Sequence, residues 1–407
     1  MRVCLVTGEY PPLQGGVGDY TARLGQALAD QSAEVHVLTG TRAAGGHEPR
    51  NVTLHSVADR WDWRGLSQVL LVLRQIRPDL VHIQYQAAAY ALHPAVNLLP
   101  WRIRWSAGWQ VRGRRPRVVV TLHDLLYPYL FPKAGPLRFQ SVLVMARGSD
   151  AVVVTNPEDL QRLARHRWLP PVKLIPIGSN IAAAPPDGYD RQVWRARLGV
   201  APDEVLLCYF GFVSQAKGTE TLIRALALLP TAGQANLSGY RLLMVGGQVG
   251  DSDPTNQAYL ASMQTLIGEL GLSGRVLWTG FAAPDQVSAH LLAADLAVLP
   301  YAEGANLRHG SLHACLAHGL PVVTTWSPFA AEHSALTDGE NALLVPPGDA
   351  QALAAAVAAL ASDPTRRSRL AAGATALARE FTWQGIAARH LEMYERLAPG
   401  ALQTPAP

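Results

Sequence analysis

The chain has 407 residues, 49% of them hydrophobic and 16% charged, a balance that excludes a disordered protein and exceeds what one hydrophobic core serves. A net charge of +4 with dispersed arginines argues against nucleic acid as the main partner. Cys4, Cys208 and Cys315 lie far apart, form no C-x-x-C pair or zinc spacing, and read as reduced core residues.

Met1 to Thr7 is apolar, yet Glu9 and two prolines follow too soon for a signal peptide. No uncharged apolar run is long enough to cross a bilayer, so the expectation is a cytoplasmic protein, with a peripheral site on the inner membrane face left open. Arg2–Thr7 reads as a buried strand, Gly15–Gly18 as a glycine turn, Tyr20–Ala29 as an amphipathic helix and Glu34–Leu38 as the next strand. Strands at Leu80–Gln84, Val118–Leu122, Ala151–Thr155 and Val172–Pro176 alternate with helical stretches, the pattern of a parallel, doubly wound sheet.

The prolines and glycine of Ala182–Tyr189 make a linker, after which the pattern restarts. Strands are expected at Glu204–Phe210, Tyr240–Val245, Val276–Thr279, Leu296–Leu299 and Pro321–Thr324. Helices are expected at Thr219–Leu229, Asn256–Glu269, Asp285–Ala293, Ser311–Ala317, Ala350–Leu360 and Trp383–Leu397. The fold class is therefore α/β, with two Rossmann-like, doubly wound parallel-sheet domains facing across a cleft. The expected boundaries are 1–181, a linker at 182–190, 191–380, and a tail from 381 to 407 that carries the final helix.

Functional loops in such sheets lie at the carboxyl ends of the strands. Gly15 and Gly16 sit between the first strand and a helix, where backbone approaches a ligand closely and the helix dipole favours anions; a plain tight turn explains them equally well. His123 and Asp124 end the strand Val118–Leu122, and a histidine there can contact a sugar hydroxyl or serve only its loop. His82, inside a strand, reads as structural or as part of an acceptor wall. Gly211 to Gly218 brings Lys217 to the start of a helix as a point charge for a diphosphate, without Walker spacing. Gly246-Gly247 and Gly280 are further close-approach turns after strands.

Leu299 to Thr325 is the most informative stretch. Glu303, Arg308, Gly310 and Ser311 precede a helix, a setting in which free N–H groups and a guanidinium suit a diphosphate and a carboxylate suits ribose or sugar hydroxyls. An ordinary β-α-β connection with a surface arginine is the bland alternative.

Together these motifs resemble glycosyltransferase family 4, of GT-B architecture, over essentially the whole chain. The resemblance rests on Gly15-Gly16, Ser149-Asp150-Ala151, Ile175-Pro176 with Gly178, Gly211 through Gly218, Gly246-Gly247, Asp295 to Pro300, Gly319-Leu320-Pro321 and Leu343 to Asp349. It implies retaining, metal-independent transfer of a sugar from a nucleotide diphosphate donor, UDP- or GDP-sugar, to a glycan, lipid-linked or small-molecule hydroxyl, with no separate cofactor. It further implies that Lys217 holds the diphosphate, Gly16 lets the amino domain close on the donor, His123 faces the transferred sugar, and the final helix crosses back to the first domain.

Two positions depart from the family pattern. Phe212 stands where an arginine is usual, and an ungapped count places Asn306 and Ala314 at the two glutamates of the E-x7-E motif. Arg308 is expected to supply the missing cation, and Glu303 or His313 to cover ribose. A catalytically degenerate partner subunit and a same-fold sugar-nucleotide epimerase remain as alternatives, and a nicotinamide enzyme is disfavoured because neither half has its glycine fingerprint. Finally, Trp101, Arg102, Arg104, Trp105, Trp109, Arg112, Arg114, Arg115 and Arg117 suit either an anionic lipid surface or a solvated helix and loop; the absence of a clean helical stripe favours the second.

Overall fold

The computed structural model describes residues 1–13, 15–41, 51–106, 109, 115–125, 135–230, 239–246, 254–327 and 335–399. The chain divides into two compact units: Met1–Gly178 together with the segment from Thr382, and Ser179–Phe381.

The first unit contains β1 (Arg2–Thr7), α1 (Gly16–Asp30), β2 (Glu34–Gly40), β3 (Val52–Ala58), α2 (Trp63–Ile76), β4 (Leu80–Tyr85), α3 (Leu99–Trp105), β5 (Arg117–Leu122), α4 (Gly135–Gly148), β6 (Ala151–Val154), α5 (Pro157–Ala164) and β7 (Val172–Leu174). Its seven strands are parallel, in the order β3-β2-β1-β4-β5-β6-β7. The central strands are nearly continuous apolar runs because both faces are covered. Alternate residues serve opposite faces: Cys4, Val6, Val81, Ile83, Val118 and Val120 pack with side chains of α2, α3 and α4. Val3, Leu5, Leu80 and Val119 pack on the other face with α1.

The second unit contains α6 (Arg191–Arg197), β8 (Val205–Phe210), α7 (Thr219–Leu228), β9 (Tyr240–Val245), α8 (Pro254–Glu269), β10 (Val276–Trp278), α9 (Pro284–Ala293), β11 (Leu296–Leu299), α10 (Gly310–Ala317), β12 (Val322–Thr325), β13 (Leu343–Val345), α11 (Ala350–Ala361) and α12 (Pro364–Ala378). Its six strands are likewise parallel, in the order β10-β9-β8-β11-β12-β13. The chain then returns to the first unit as α13 (Trp383–Leu397), whose Ile386, Leu391 and Tyr394 enter the same core as α1.

Local chemistry accounts for many of these boundaries. The side chains of Asp62, Asn156, Asp190, Asp349, Asp363 and Thr382 accept from amides in the first turns of α2, α5, α6, α11, α12 and α13. Two motif aspartates have matching structural duties in the two sheets. Asp150 accepts from Arg115 (2.7 Å) and from Val118 N–H (2.8 Å), and Asp295 accepts from Arg191 (2.6 Å), Arg195 (3.0 Å) and Leu206 N–H (2.8 Å).

The sequence reading needs correction at several points. Gly16 and Gly18 belong to α1 and are not part of a free turn; Gly18 stays small because a Cβ would stand 3.1 Å from the Tyr10 Cα. The edge strands β3 and β13 and the helices α2, α6 and α12 were not singled out individually. The second compact unit starts at Ser179, three residues before the expected linker of 182–190, and includes that linker.

Candidate functional site

Ligand sites in open parallel sheets form where the strand order reverses, and in the second sheet that point lies between β8 and β11. The loop after β8 starts at Gly211 and tightens into a single 3-10 turn, Gln215–Lys217. The loop after β11 starts at Pro300 and leads into α10. Ala302 N–H donates to the Ala216 carbonyl across the gap at 2.9 Å. Gly218 permits this approach, since its φ is +68° and a Cβ there would stand 1.8 Å from the Pro300 carbonyl oxygen. Gly218→Ala is therefore expected to lose roughly 2 kcal/mol or more of stability by denaturant titration, and nucleotide affinity with it, because the loops must part.

Gly211, at φ +129°, clears space for Lys217: a Cβ there would lie 2.4 Å from Nζ. The Lys217 side chain has no hydrogen-bond or ion-pair partner among the described residues, and burial lowers its pKa to about 8. From the other loop, Arg308 meets the Glu303 carboxylate at 3.6 Å; the arginine side chain is 16% exposed and the glutamate 65%. Glu303, expected to accept from sugar or ribose hydroxyls, thus leans on Arg308. The amides of Gly310 and Ser311, in the first turn of α10, have no acceptor within the helix, and the Gly310 Cβ position faces open space. Lys217, Arg308 and these amides form a positive surface, offset among the described residues by Glu303.

His309 and Tyr301 complete this site and were not picked out from the sequence. Their rings stack at 3.7 Å and 6°. Burial, then the charges of Arg308 and Lys217, hold the His309 imidazole well below its usual range, so it is neutral. The Tyr301 and Ser311 hydroxyls are bonded at 2.8 Å, which leaves the Ser311 amide rather than its hydroxyl for a ligand. The family's missing groups are not restored in place. The Phe212 carbonyl accepts from the Tyr209 hydroxyl at 2.8 Å, the Asn306 side chain accepts from Arg308 N–H at 3.1 Å, and Ala314 is fully buried. His313 cannot serve ribose, because it is buried and its Nε2 bonds the Leu307 carbonyl at 2.9 Å. Gly246 (φ +111°) donates its amide to Thr279 Oγ1 at 3.2 Å, and Gly280 (φ +66°) follows the outer strand β10. Gly247 lies outside the described residues.

In the first sheet the order reverses between β1 and β4. The loop after β1 brings Glu9 to the start of α1, where Oε1 accepts from Val17 N–H (3.2 Å) and Gly18 N–H (3.4 Å). Gly15 makes room for this, since a Cβ would come within 2.3 Å of the Glu9 carboxyl group. The amides expected to greet a donor phosphate therefore hold an internal carboxylate, while Gly16 presents an open surface. Burial raises the Glu9 pKa and these hydrogen bonds oppose the rise.

His123 immediately follows β5, with its amide on the Tyr85 carbonyl at 3.0 Å. Its Nε2 bonds Gln84 Oε1 at 3.0 Å, and its ring meets Tyr20 edge-on at 4.6 Å. Burial, then His390, lowers its pKa to about 3. His82 is fully buried and structural, bonded to the Tyr394 hydroxyl (2.5 Å) and Thr121 Oγ1 (2.7 Å).

The aromatic, basic stretch is divided. Trp101 donates to the Val144 carbonyl at 2.8 Å and packs on Trp105, while Arg115 and Arg117 are held by Asp150. Arg102, Arg104 and Trp105 are exposed; Arg112 and Arg114 lie outside the described residues. Among the described residues no helix is long and apolar enough to cross a membrane, and no three His, Cys, Asp or Glu side chains gather to hold a metal.

Two parallel Rossmann-like sheets, with a cationic surface where the second reverses its strand order, make the GT-B architecture of glycosyltransferases. Family models agree, with Glycosyltransferase Family 4 matching residues 14–182 and Glycosyl transferases group 1 matching residues 190–376. The chain belongs to glycosyltransferase family 4. D-inositol 3-phosphate glycosyltransferase of Xylanimonas cellulosilytica is 27% identical, over 97% of this chain and 96% of that protein. The enzyme of that name from Rhodococcus opacus is 31% identical over 60% of this chain and 53% of its own length. Among solved structures, sucrose-phosphate synthase from Thermosynechococcus elongatus superposes with a TM-score of 0.75 at 23% identity, covering 98% of this chain and 99% of that one. Anabaena HepE in complex with UDP and glucose does so with a TM-score of 0.75 at 21% identity, over 97% and 100% of the two chains.

Proposed function

We propose that this glycosyltransferase is a retaining, metal-independent enzyme that takes its sugar from a nucleoside diphosphate donor, UDP or GDP, bound by the second unit, and passes it to a hydroxyl bound by the first. The observation that carries the reading is Lys217, a half-buried ammonium with no partner among the described residues, beside two unfilled helix amides and a second cation. A cluster of positive groups with a single carboxylate beside it is costly unless a further anion completes it. HepE, a structure of the same fold, was solved with UDP and with UDP-glucose, which supports a diphosphate as that anion.

In the reaction, the bond from the sugar's anomeric carbon to the diphosphate oxygen breaks and a bond to the acceptor oxygen forms. The acceptor proton goes to the departing diphosphate. Lys217, Arg308 and the Gly310 and Ser311 amides stabilise the charge that builds on that leaving group. His123 contacts a hydroxyl of the sugar. A membrane-borne acceptor is less well supported than a soluble one, because Arg115 and Arg117 are already paired.

Calorimetry with UDP, GDP, ADP and their common sugar conjugates tests the reading. One nucleotide is expected to bind tightly, with affinity falling about tenfold or more in Arg308→Ala. Retained affinity in that variant would mean that Arg308 does not replace the cation absent at Phe212. Absence of any nucleotide binding would favour the degenerate-subunit alternative, which Phe212 and Ala314 motivate.

A further inference from the structure

Gln84 belongs to β4, is fully buried, and is the hydrogen-bond partner of the His123 ring among the described residues. Its Oε1 accepts from His123 Nε2–H at 3.0 Å, while its own Nε2 finds no acceptor. An unsatisfied buried amide nitrogen is destabilising, and a leucine at this position of the sheet would avoid that cost. The glutamine is therefore better explained by what it does to its neighbour than by stability. The neutral imidazole carries one proton, and with that proton directed to Gln84 the other ring nitrogen can only accept. The Tyr20 ring packs edge-on against the imidazole at 4.6 Å and limits its freedom to turn over.

We infer that Gln84 is a positioning residue that keeps the His123 proton on Nε2, so that the bare Nδ1 accepts a hydrogen bond from a hydroxyl of the bound sugar. The inference rests on the transferase reading above and adds a specificity rule to it. The sugar must donate at that position, so a deoxy, fluoro or methoxy group there is rejected. A fluorine would be tolerated only if the histidine were the donor.

Among the described residues, the titratable groups near His123 are Asp124 beside it in the chain, His82 on β4, His390 on α13 and Tyr20 on α1; the two histidines are held neutral by burial and the phenol is pushed up by it. Of these, burial and then His390 are what shift the ring, both downward. Gln84→Glu, nearly isosteric, would supply a negative charge and is expected to raise the His123 titration by about 2 pH units.

The test is two-bond nitrogen–proton NMR of the histidine side chains in the full-length protein, with His123 assigned through His123→Asn. The wild type is expected to show the Nε2–H tautomer, Gln84→Met a mixture of tautomers, and Gln84→Glu the raised titration. In kinetics with the donor found by calorimetry, Gln84→Met should lower kcat at least about tenfold with nucleotide Kd within twofold. Gln84→Glu should add an ionisation to the pH–rate profile. An Nδ1–H ring in the wild type, or an unchanged titration in Gln84→Glu, overturns the inference. A wild type that binds no nucleotide would instead sink the transferase reading, and the NMR result would still decide the role of Gln84.

Discussion

Replacing Lys217 with alanine is expected to weaken nucleoside diphosphate binding by about 1.5–3 kcal/mol, or roughly 10- to 150-fold, the worth of a charge-assisted hydrogen bond. The variant should be no less stable than the wild type, because the ammonium removed is half-buried and has no partner among the described residues. A lysine serving the fold would show the opposite pattern. The pH dependence sharpens this. With a pKa of about 8 in the free protein, Lys217 is charged below that value and loses its proton above it. Wild-type affinity should be flat below pH 8 and then fall, approaching a factor of ten per pH unit, until the bound-state pKa is reached. Lys217→Ala should lose that slope. Calorimetry at pH 7, 8.5 and 9.5, with melting curves on the same samples, decides it; equal slopes in the two proteins would remove Lys217 from the donor site.

The second large effect is acid sensitivity of the first unit. His82 and His390 are fully buried, and burial holds the first well below its usual range and the second at about 4. Unfolding returns each to about 6.5. A histidine depressed in the folded state contributes stability that is complete above the unfolded pKa and drains away as pH falls toward the folded one. Between pH 7 and 5.5 each should cost about 1.3 kcal/mol, with His123 adding a similar slope. Glu9 and Asp19, raised by burial, oppose part of this near their own titrations. His390→Met removes one such proton and an Nε2 that lacks a partner. Urea unfolding at the two pH values should show the mutant losing about 1.3 kcal/mol less than the wild type; equal losses would mean that His390 is charged in the fold.

What the sequence revealed and what it hid have a common physical basis. β1, β9 and β11 are apolar runs bounded by glycine, proline or charge, and their limits in the structure are those the residues predict. β3 was missed because it is an edge strand with a half-exposed His55 and an exposed Ser56, so its pattern is weak. α12 opens on Pro364 and three arginines and continues in alanine and glycine, which gives no clear apolar stripe. In the site, Lys217 and Arg308 were legible because glycines and a helix start flank them in the chain. The His309–Tyr301 stack, the Glu9 cap on α1 and the Gln84–His123 bond each join residues that only the fold brings together. Glu9 carries a warning: a glycine pair before a helix looks the same in sequence whether its amides await a ligand or are filled from within.

The place of α13 has a consequence for how this chain is made. Its Ile386, Leu391 and Tyr394 finish a core whose remaining walls, the first sheet and α1, come from the amino-terminal stretch. On a ribosome, the whole second unit must be translated before that wall can close, a wait of about 10–40 seconds at ordinary elongation rates. Throughout it, the nascent first unit carries an open apolar groove containing His82, whose Tyr394 partner does not yet exist. Chaperone engagement and the risk of mispairing with a neighbouring nascent chain should therefore concentrate on this face and in this interval, and should end when α13 emerges and docks.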